Sequence, residues 1–151
     1  MVPDSIEREI QIDAPIETVW SIVTEPRHIG SWFSDSAEVD LRPGGDLVLT
    51  WEELGSTVAT VEKVDPPNAF AFSWVSPEPD RDPEGRGGST LVEFLLRAQD
   101  DGTLLRVVES GFAELAGSPE ENAELATRHT GGWGTFLDKL AAHLAAVDVA
   151  G

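Results

Sequence analysis

Residues 129–144, HTGGWGTFLDKLAAHL, decide the fold of this chain. Apolar side chains recur along this stretch with the period that places residues on one face of a helix, at Trp133, Phe136, Leu137, Leu140 and Leu144. That face is wide and begins with aromatic rings, whereas the opposite face is small or charged. A helix of this kind needs a large, curved apolar surface to lie on, so we expect the rest of the chain to provide one.

The composition is that of one globular domain spanning residues 1–151. The chain is long enough to bury a core, and its hydrophobic (40%) and charged (25%) fractions are ordinary for a soluble protein. Cysteine is absent, which excludes a disulfide framework, a thiolate nucleophile and a cysteine-based metal site. The sequence shows neither a signal peptide nor an apolar stretch long enough to span a bilayer, so we expect a cytoplasmic protein.

The charge balance is strongly acidic. The chain has 28 Asp and Glu residues against 10 Lys and Arg residues, a formal net charge of -18. Phosphate backbones and anionic lipids repel such a chain, so we expect neither nucleic acid nor a membrane as a partner. An excess of acidic residues is otherwise typical of a surface that keeps a protein soluble.

The first 33 residues predict one strand followed by two short helices. Residues 6–12 alternate apolar and polar side chains, the pattern of a strand with one buried face. Pro15 suits the first position of a helix, where its missing N–H is not needed, and apolar residues follow it at helical spacing. Pro26 ends that helix and begins a second one, which reaches Phe33.

The middle of the chain predicts six more strands joined mostly by hairpins, at residues 38–41, 47–51, 58–64, 70–74, 90–98 and 104–110. Asp101-Gly102 is a strong hairpin signal, and residues 77–88 read as a long loop. Ser118-Pro119 then begins the final helix. This order predicts an α+β fold, and an inner sheet face so rich in aromatic rings is best covered by curling an antiparallel sheet around that helix.

These segments, in this order, resemble the START-like SRPBCC superfamily. The superfamily likeness lies in residues 14–20 (APIETVW), 24–26 (TEP) and 32–33 (WF). A second set resembles the subgroup of proteins similar to the activator of a heat-shock chaperone ATPase, at residues 42–45 (RPGG), 64–67 (VDPP), 108–112 (VESGF) and 132–133 (GW). The likeness covers nearly the whole chain, from Ile6 to about Leu144.

The resemblance implies a helix-grip fold of the START-like or Bet v-like type. In this fold a curved antiparallel sheet wraps a long C-terminal helix, leaves an elongated pocket, and places two short helices after the first strand. Members include lipid and steroid carriers, plant hormone receptors, aromatases and cyclases, and many uncharacterised bacterial proteins. The fold therefore does not decide among these functions.

Aromatic side chains on the predicted inner faces indicate a pocket for a small apolar or aromatic molecule, oriented by a few polar groups. For each ring, packing in the core is the alternative interpretation. The candidate ligand-binding residues are Trp32, Phe33, Trp51, Phe72, Trp74, Glu109, His129, Trp133 and Phe136.

Glu109 is the most informative ionisable residue, because a period of two places it on the inner face of the last strand with Leu105 and Val107. A carboxylate there has to be paired, hydrogen-bonded or protonated. His129 is the candidate partner, since it lies on the inner arc of the long helix one turn before Trp133. The pair would act as acid and base or hold the polar end of a ligand. Alternatively, Glu109 accepts a hydrogen bond from an indole and only stabilises the fold.

Neither a metal site nor a cofactor is predicted. His28, His129 and His143 are few and scattered, His143 is expected at the solvated edge of the helix, and no carboxylate cluster lies at ligand spacing. The chain also lacks a Gly-x-Ser-x-Gly nucleophile elbow, a phosphate-binding loop and a dinucleotide-binding glycine pattern.

Three functions follow from these observations. The first is a non-enzymatic binding module that holds a small apolar or aromatic molecule between the sheet and the long helix. The second is an enzyme of cyclase or hydrolase type that uses Glu109 and His129 in the same cavity. The third, implied by the resemblance, is a stress-response module that assists a heat-shock chaperone through its acidic surface. An exposed sheet edge would also permit a homodimer.

Overall fold

The computed structural model describes residues 5–53, 55–74, 90–112 and 118–150, with side chains as far as Leu144. The loop predicted at residues 77–88 lies outside these ranges. Along the chain the elements are β1 (Ser5–Ile12), α1 (Ile16–Thr24), α2 (Pro26–Trp32), β2 (Ser36–Val39), β3 (Asp46–Trp51), β4 (Gly55–Asp65), β5 (Ala69–Trp74), β6 (Thr90–Gln99), β7 (Gly102–Ser110) and α3 (Pro119–Ala150).

The seven strands form one curved antiparallel sheet in the order β1-β7-β6-β5-β4-β3-β2. The connection from β1 to β2 runs through α1 and α2, and these two strands lie at opposite edges of the sheet. Strand β1 pairs with β7, the last strand along the chain. A bulge at Glu62 in β4 shifts the register against β5 and bends the sheet locally. The predicted helix-grip architecture is confirmed.

Helix α3 lies on the concave face of this sheet. It begins with a capping box, in which Ser118 Oγ accepts the N–H of Glu121 (3.1 Å) and the Glu121 carboxylate accepts the N–H of Ser118 (3.2 Å). The helix continues without a break through its glycines. Four residues of the predicted apolar stripe are buried in the main core and Phe136 packs against them, the four being Trp133, Leu137, Leu140 and Leu144.

Two turns begin or end differently from the prediction. Strand β2 was expected at residues 38–41 but ends at Val39, because Asp40 already accepts the N–H of Arg42 and starts the turn that leads to β3. The hairpin between β6 and β7 turns at Asp100 and Asp101, and Asp100 adopts a positive φ of 56°. Gly102 belongs to β7, where the carbonyl oxygen of Ile12 occupies the space that a Cβ would need.

Replacing Leu140 with alanine tests how far the stability of the fold depends on α3. Leu140 has no solvent exposure, so Leu140→Ala should lower the free energy of unfolding by about 2–5 kcal/mol through lost burial and an unfilled cavity. Leu41 is 40% exposed, and the same substitution there should cost less than about 1 kcal/mol. Urea denaturation of both variants checks this, and equal losses would contradict the assignment of α3 to the core.

Candidate functional site

The aromatic cluster lies between the sheet and α3, and Phe33 is at its centre. Phe33 caps the C-terminal end of α2 and is buried. Its ring centroid lies 4.8–5.7 Å from those of five other rings, contributed by α2, β3, β5 and α3: Trp32, Trp51, Trp74, Trp133 and Phe136. Such separations are those of rings in direct contact. The short helix α2 therefore places one side chain at the centre of the interface between sheet and α3.

The structure brings all nine candidate residues to this interface or next to it. Seven are buried: Trp32, Phe33, Phe72, Trp74, Glu109, His129 and Trp133. Trp51 and Phe136 are only half-buried and pack against the core from its border. Phe72 contacts the ring of Trp74 rather than that of Phe33. The border position of Trp51 and Phe136 marks the side from which the cluster meets solvent.

Glu109 is the polar centre of the site and has no solvent exposure. Its Oε1 accepts hydrogen bonds from His129 Nδ1 (2.7 Å) and Trp133 Nε1 (2.9 Å). Its Oε2 accepts hydrogen bonds from Trp74 Nε1 (3.0 Å) and Thr90 Oγ1 (2.5 Å). A carboxylate has about four lone-pair sites, so the protein itself occupies all of them. Both contacts considered from the sequence, with His129 and with an indole, are present.

The surroundings of Glu109 favour its ionised form. Burial by itself raises the pKa of this carboxyl, but the hydrogen bond and the charge of His129, with the donors of Thr90 and Trp133, outweigh it and hold the pKa below the ordinary value of 4.5. Glu109 is therefore a carboxylate at neutral pH. Its charge is compensated by hydrogen bonds from β5, β6 and α3 rather than by water.

Glu109 also determines the protonation pattern of His129. A carboxylate is only an acceptor, so the ring nitrogen that faces it, Nδ1, has to carry a proton. The rings of His129 and Phe112 also meet edge to face, with centroids 5.6 Å apart, which helps to fix the imidazole. This is the chemical arrangement of an oriented acid or base.

Thr90 is the site residue that the sequence analysis missed. Thr90 is the first residue of β6 and donates its hydroxyl hydrogen to Glu109. The residue directly opposite Glu109 in the β6–β7 pairing is Val92. Thr90 and Val92 lie on the same inner face, since they are two residues apart. The sequence could have indicated this contact only if the register of the β6–β7 hairpin had been known, because the register places Thr90 beside the inward-pointing Glu109.

The expectation that the histidines are scattered was wrong for two of them. His28 Nδ1 lies 2.8 Å from His143 Nε2, and both rings are half-buried. The sequence separates these residues by 115 positions, and only the packing of α2 against α3 brings them together. Within the described ranges no three His, Cys, Asp or Glu side chains group as a metal site. No helix of the described chain is long and apolar enough to cross a membrane.

Replacing Glu109 with glutamine tests whether the four hydrogen bonds stabilise the fold. The amide cannot accept four hydrogen bonds, so buried donors lose their partner and Glu109→Gln should lower the free energy of unfolding by about 3 kcal/mol at pH 7. Glu124→Gln, on the exposed side of α3, is the matched control and should change it by less than about 0.5 kcal/mol. Denaturant unfolding that gives the two variants equal stability would contradict the structural role.

The pH dependence of this difference has a defined sign. Because folding lowers the pKa of Glu109, its contribution to stability is present above the ordinary value of 4.5 and is lost as the pH falls below it. The gap in unfolding free energy between wild type and Glu109→Gln should therefore be constant above about pH 6 and narrow below pH 4.5. A gap that widens in acid would reverse the assignment of Glu109 as a buried carboxylate.

Comparisons with known proteins agree with the fold. The family model for Activator of Hsp90 ATPase homolog 1-like protein matches residues 13–145. CalU16 from Micromonospora echinospora is 29% identical, with a TM-score of 0.69, and the match covers 93% of this chain and 75% of CalU16. Protein MLL2253 from Mesorhizobium loti is 24% identical, with a TM-score of 0.77 and coverage of 93% and 96%.

A third similar structure is the Aha1 dimer from Colwellia psychrerythraea. It is 21% identical, with a TM-score of 0.70, and the match covers 95% of this chain and 96% of that one. No curated protein sequence matches the chain. The family match extends over most of the sequence and confirms the resemblance read from its motifs. The chain belongs to the family of Activator of Hsp90 ATPase homolog 1-like proteins.

Proposed function

We propose that this chain is a cytoplasmic, non-enzymatic binding protein that holds a small apolar or aromatic molecule between the sheet and α3. The observation that carries the proposal is the aromatic cluster around Phe33, whose members Trp51 and Phe136 lie at its solvent border. Aromatic faces with a few fixed polar groups are the usual lining of a ligand site.

The ring contacts define how a ligand would enter. Because the rings around Phe33 already touch one another, a guest molecule has to replace one of them. Phe33 is the ring best placed to move, since it lies at the end of a seven-residue helix, whereas Trp74 and Trp133 are held by hydrogen bonds to Glu109. We infer that the ligand occupies the space of the Phe33 ring and stacks on Trp133, as Phe33 does now.

Glu109 acts in this proposal as a positioning residue. All its lone pairs are occupied by protein donors, so a ligand would contact the ring faces of Trp74 and Trp133 rather than the carboxylate. His129, held against Glu109, is the other polar side chain among the candidate residues, and in this proposal its ring orients the ligand. The candidate ligand-binding residues expected from the sequence keep that role in the proposal, with Glu109 acting through its neighbours.

An enzyme in the same site is the second candidate, because Glu109 fixes the proton of His129 on Nδ1 in the manner of a carboxylate that orients a general base. This candidate predicts that His129→Gln abolishes turnover of a p-nitrophenyl ester while the affinity for an apolar aromatic ligand changes less than about threefold. Equal rates of hydrolysis by the wild type and the His129→Gln variant would reject it.

A chaperone partner and a homodimer are proposals that rest on the comparisons. The family description names an activator of the Hsp90 ATPase, and the Aha1 of Colwellia psychrerythraea is a dimer. Strands β1 and β2 form the two edges of the sheet, and either edge would pair with a second copy. Sedimentation of the purified protein tests the dimer, and stimulation of the chaperone's ATPase tests the partner.

A neutral aromatic probe tests the binding proposal. N-phenyl-1-naphthylamine should bind the wild type saturably at pH 7.5, and Phe33→Ala should bind it about tenfold more tightly, because the ring that competes for the space is gone. Phe70→Ala removes the same ring from β5, where Phe70 is buried against Phe94, and is the matched control. Fluorescence titration gives the three dissociation constants, and Phe33→Leu replaces Phe33→Ala if the latter unfolds.

Two outcomes would overturn the proposal. The absence of saturable binding to the wild type and to the folded Phe33 variant would remove the binding function. If the Phe33 and Phe70 variants bind the probe with equally increased affinity, the probe binds wherever a cavity is made. That result would contradict the proposal that the ligand occupies the space of the Phe33 ring. Native mass spectrometry of freshly purified protein adds an independent readout, in which a retained small molecule is expected.

A further inference from the structure

The contact between His28 and His143 joins α2 to the C-terminal half of α3. His28 Nδ1 and His143 Nε2 are 2.8 Å apart, and the rings meet edge to face with centroids separated by 5.1 Å. At this distance one ring donates an N–H and the other accepts it. The contact therefore exists only while at least one of the two facing nitrogens has no proton.

The two ends of α2 are held by different kinds of contact. At the C-terminal end, Trp51 Nε1 donates to the carbonyl of Phe33 (2.9 Å) and Trp32 Nε1 donates to that of Ile22 (2.9 Å). Neither of these contacts titrates. The N-terminal turn of α2 carries His28 and contacts α3 through a hydrogen bond that depends on protonation. Loss of that bond would let the first turn of α2 move away from α3, so that the helix pivots about the contacts of Trp32 and Phe33 at its other end.

We propose that the His28–His143 contact is a proton-sensitive latch that holds α2 against α3 and thereby controls access to the space around Phe33. The part of this inference that concerns access rests on the proposed binding function. The part that concerns the movement of α2 does not, because it requires only the contact between the two helices.

The latch opens on the second proton. A first added proton leaves one imidazolium facing one neutral ring, which preserves and strengthens the N–H···N bond. When both rings are imidazolium, both are donors only and both are positive, so the contact becomes repulsive. The latch is therefore closed at neutral pH and opens in acid.

The burial of His28 and the charges around it determine the pH range in which the contact is lost. Partial burial lowers the pKa of His28, as do the charges of Arg27 and of His143, while Glu25 raises it. The net result is a pKa of His28 below the ordinary value of 6.5. The stability that the neutral His28 ring contributes is therefore present above pH 6.5 and is lost as the pH falls through the lowered pKa of His28. On α3, Lys139 is one turn before His143 and its ammonium lies over the ring of Phe136.

Amide hydrogen exchange of α2 tests the latch without any ligand. After correction for the intrinsic effect of pH, protection of the first-turn amides of His28 and Ile29, which donate to the carbonyl of Glu25, should fall in the wild type between pH 7.5 and pH 5.0. A fall of about tenfold is within the range that the loss of one side-chain hydrogen bond brings. Both values lie above the isoelectric point of about 4.2. His28→Gln keeps a donor and an acceptor but takes up no proton, so its protection should change less than about twofold. Ser31→Ala, at an exposed position of the same helix, should behave like the wild type.

The outcomes separate the latch from the binding function. Equal protection of the wild type at both pH values, or the same acid-induced loss in His28→Gln, would overturn the latch. Stopped-flow association of N-phenyl-1-naphthylamine should be about tenfold faster at pH 5.0 than at pH 7.5 in the wild type, in step with the loss of one hydrogen bond, and pH-independent in His28→Gln. If the association rate of the probe does not depend on pH while the hydrogen exchange of α2 does, the proposed control of access is overturned. A probe that binds at neither pH would remove the binding function and leave the exchange result to decide the latch.

Discussion

The ionised carboxylate of Glu109, enclosed without solvent, is the constraint on which the inner face of this protein depends. A buried charge is tolerated only where polar groups replace the water it has lost, and here four donors do so from β5, β6 and α3. Within the described ranges no buried polar side-chain atom lacks a partner. Each donor is consequently held in one orientation, and two of them are the indoles that form walls of the aromatic cluster.

This arrangement assigns different tasks to the aromatic residues. Trp74 and Trp133 are oriented by Glu109, Trp51 is oriented by the carbonyl of Phe33, and the Phe33 side chain is held by ring contacts alone. Ring contacts have weaker directional preferences than hydrogen bonds. The cluster thus combines four indoles fixed by hydrogen bonds, Trp32 included, with two phenyl rings that packing retains, Phe33 and Phe136, and α2 determines where Phe33 lies.

The sequence predicted the fold well because its signals were local and repeated. Alternation along β1 and β5 and the period of α3 identified inner faces, and the capping residues located the start of α3. The inward position of Glu109 and its contact with His129 also followed from these periods. Thr90 and the pairing of His28 with His143 did not, because they depend on strand register and on the packing of α2 against α3, which no short stretch encodes.

The tryptophans of the inner face have a practical consequence. The chain has five tryptophans and no tyrosine, so its ultraviolet emission originates almost entirely from indoles. Trp32, Trp51, Trp74 and Trp133 all touch the ring of Phe33, and the emission of an indole depends on the dipoles and polarity around it. The protein therefore contains its own unlabelled fluorescent reporter, concentrated around the Phe33 ring whose space the proposed ligand would take.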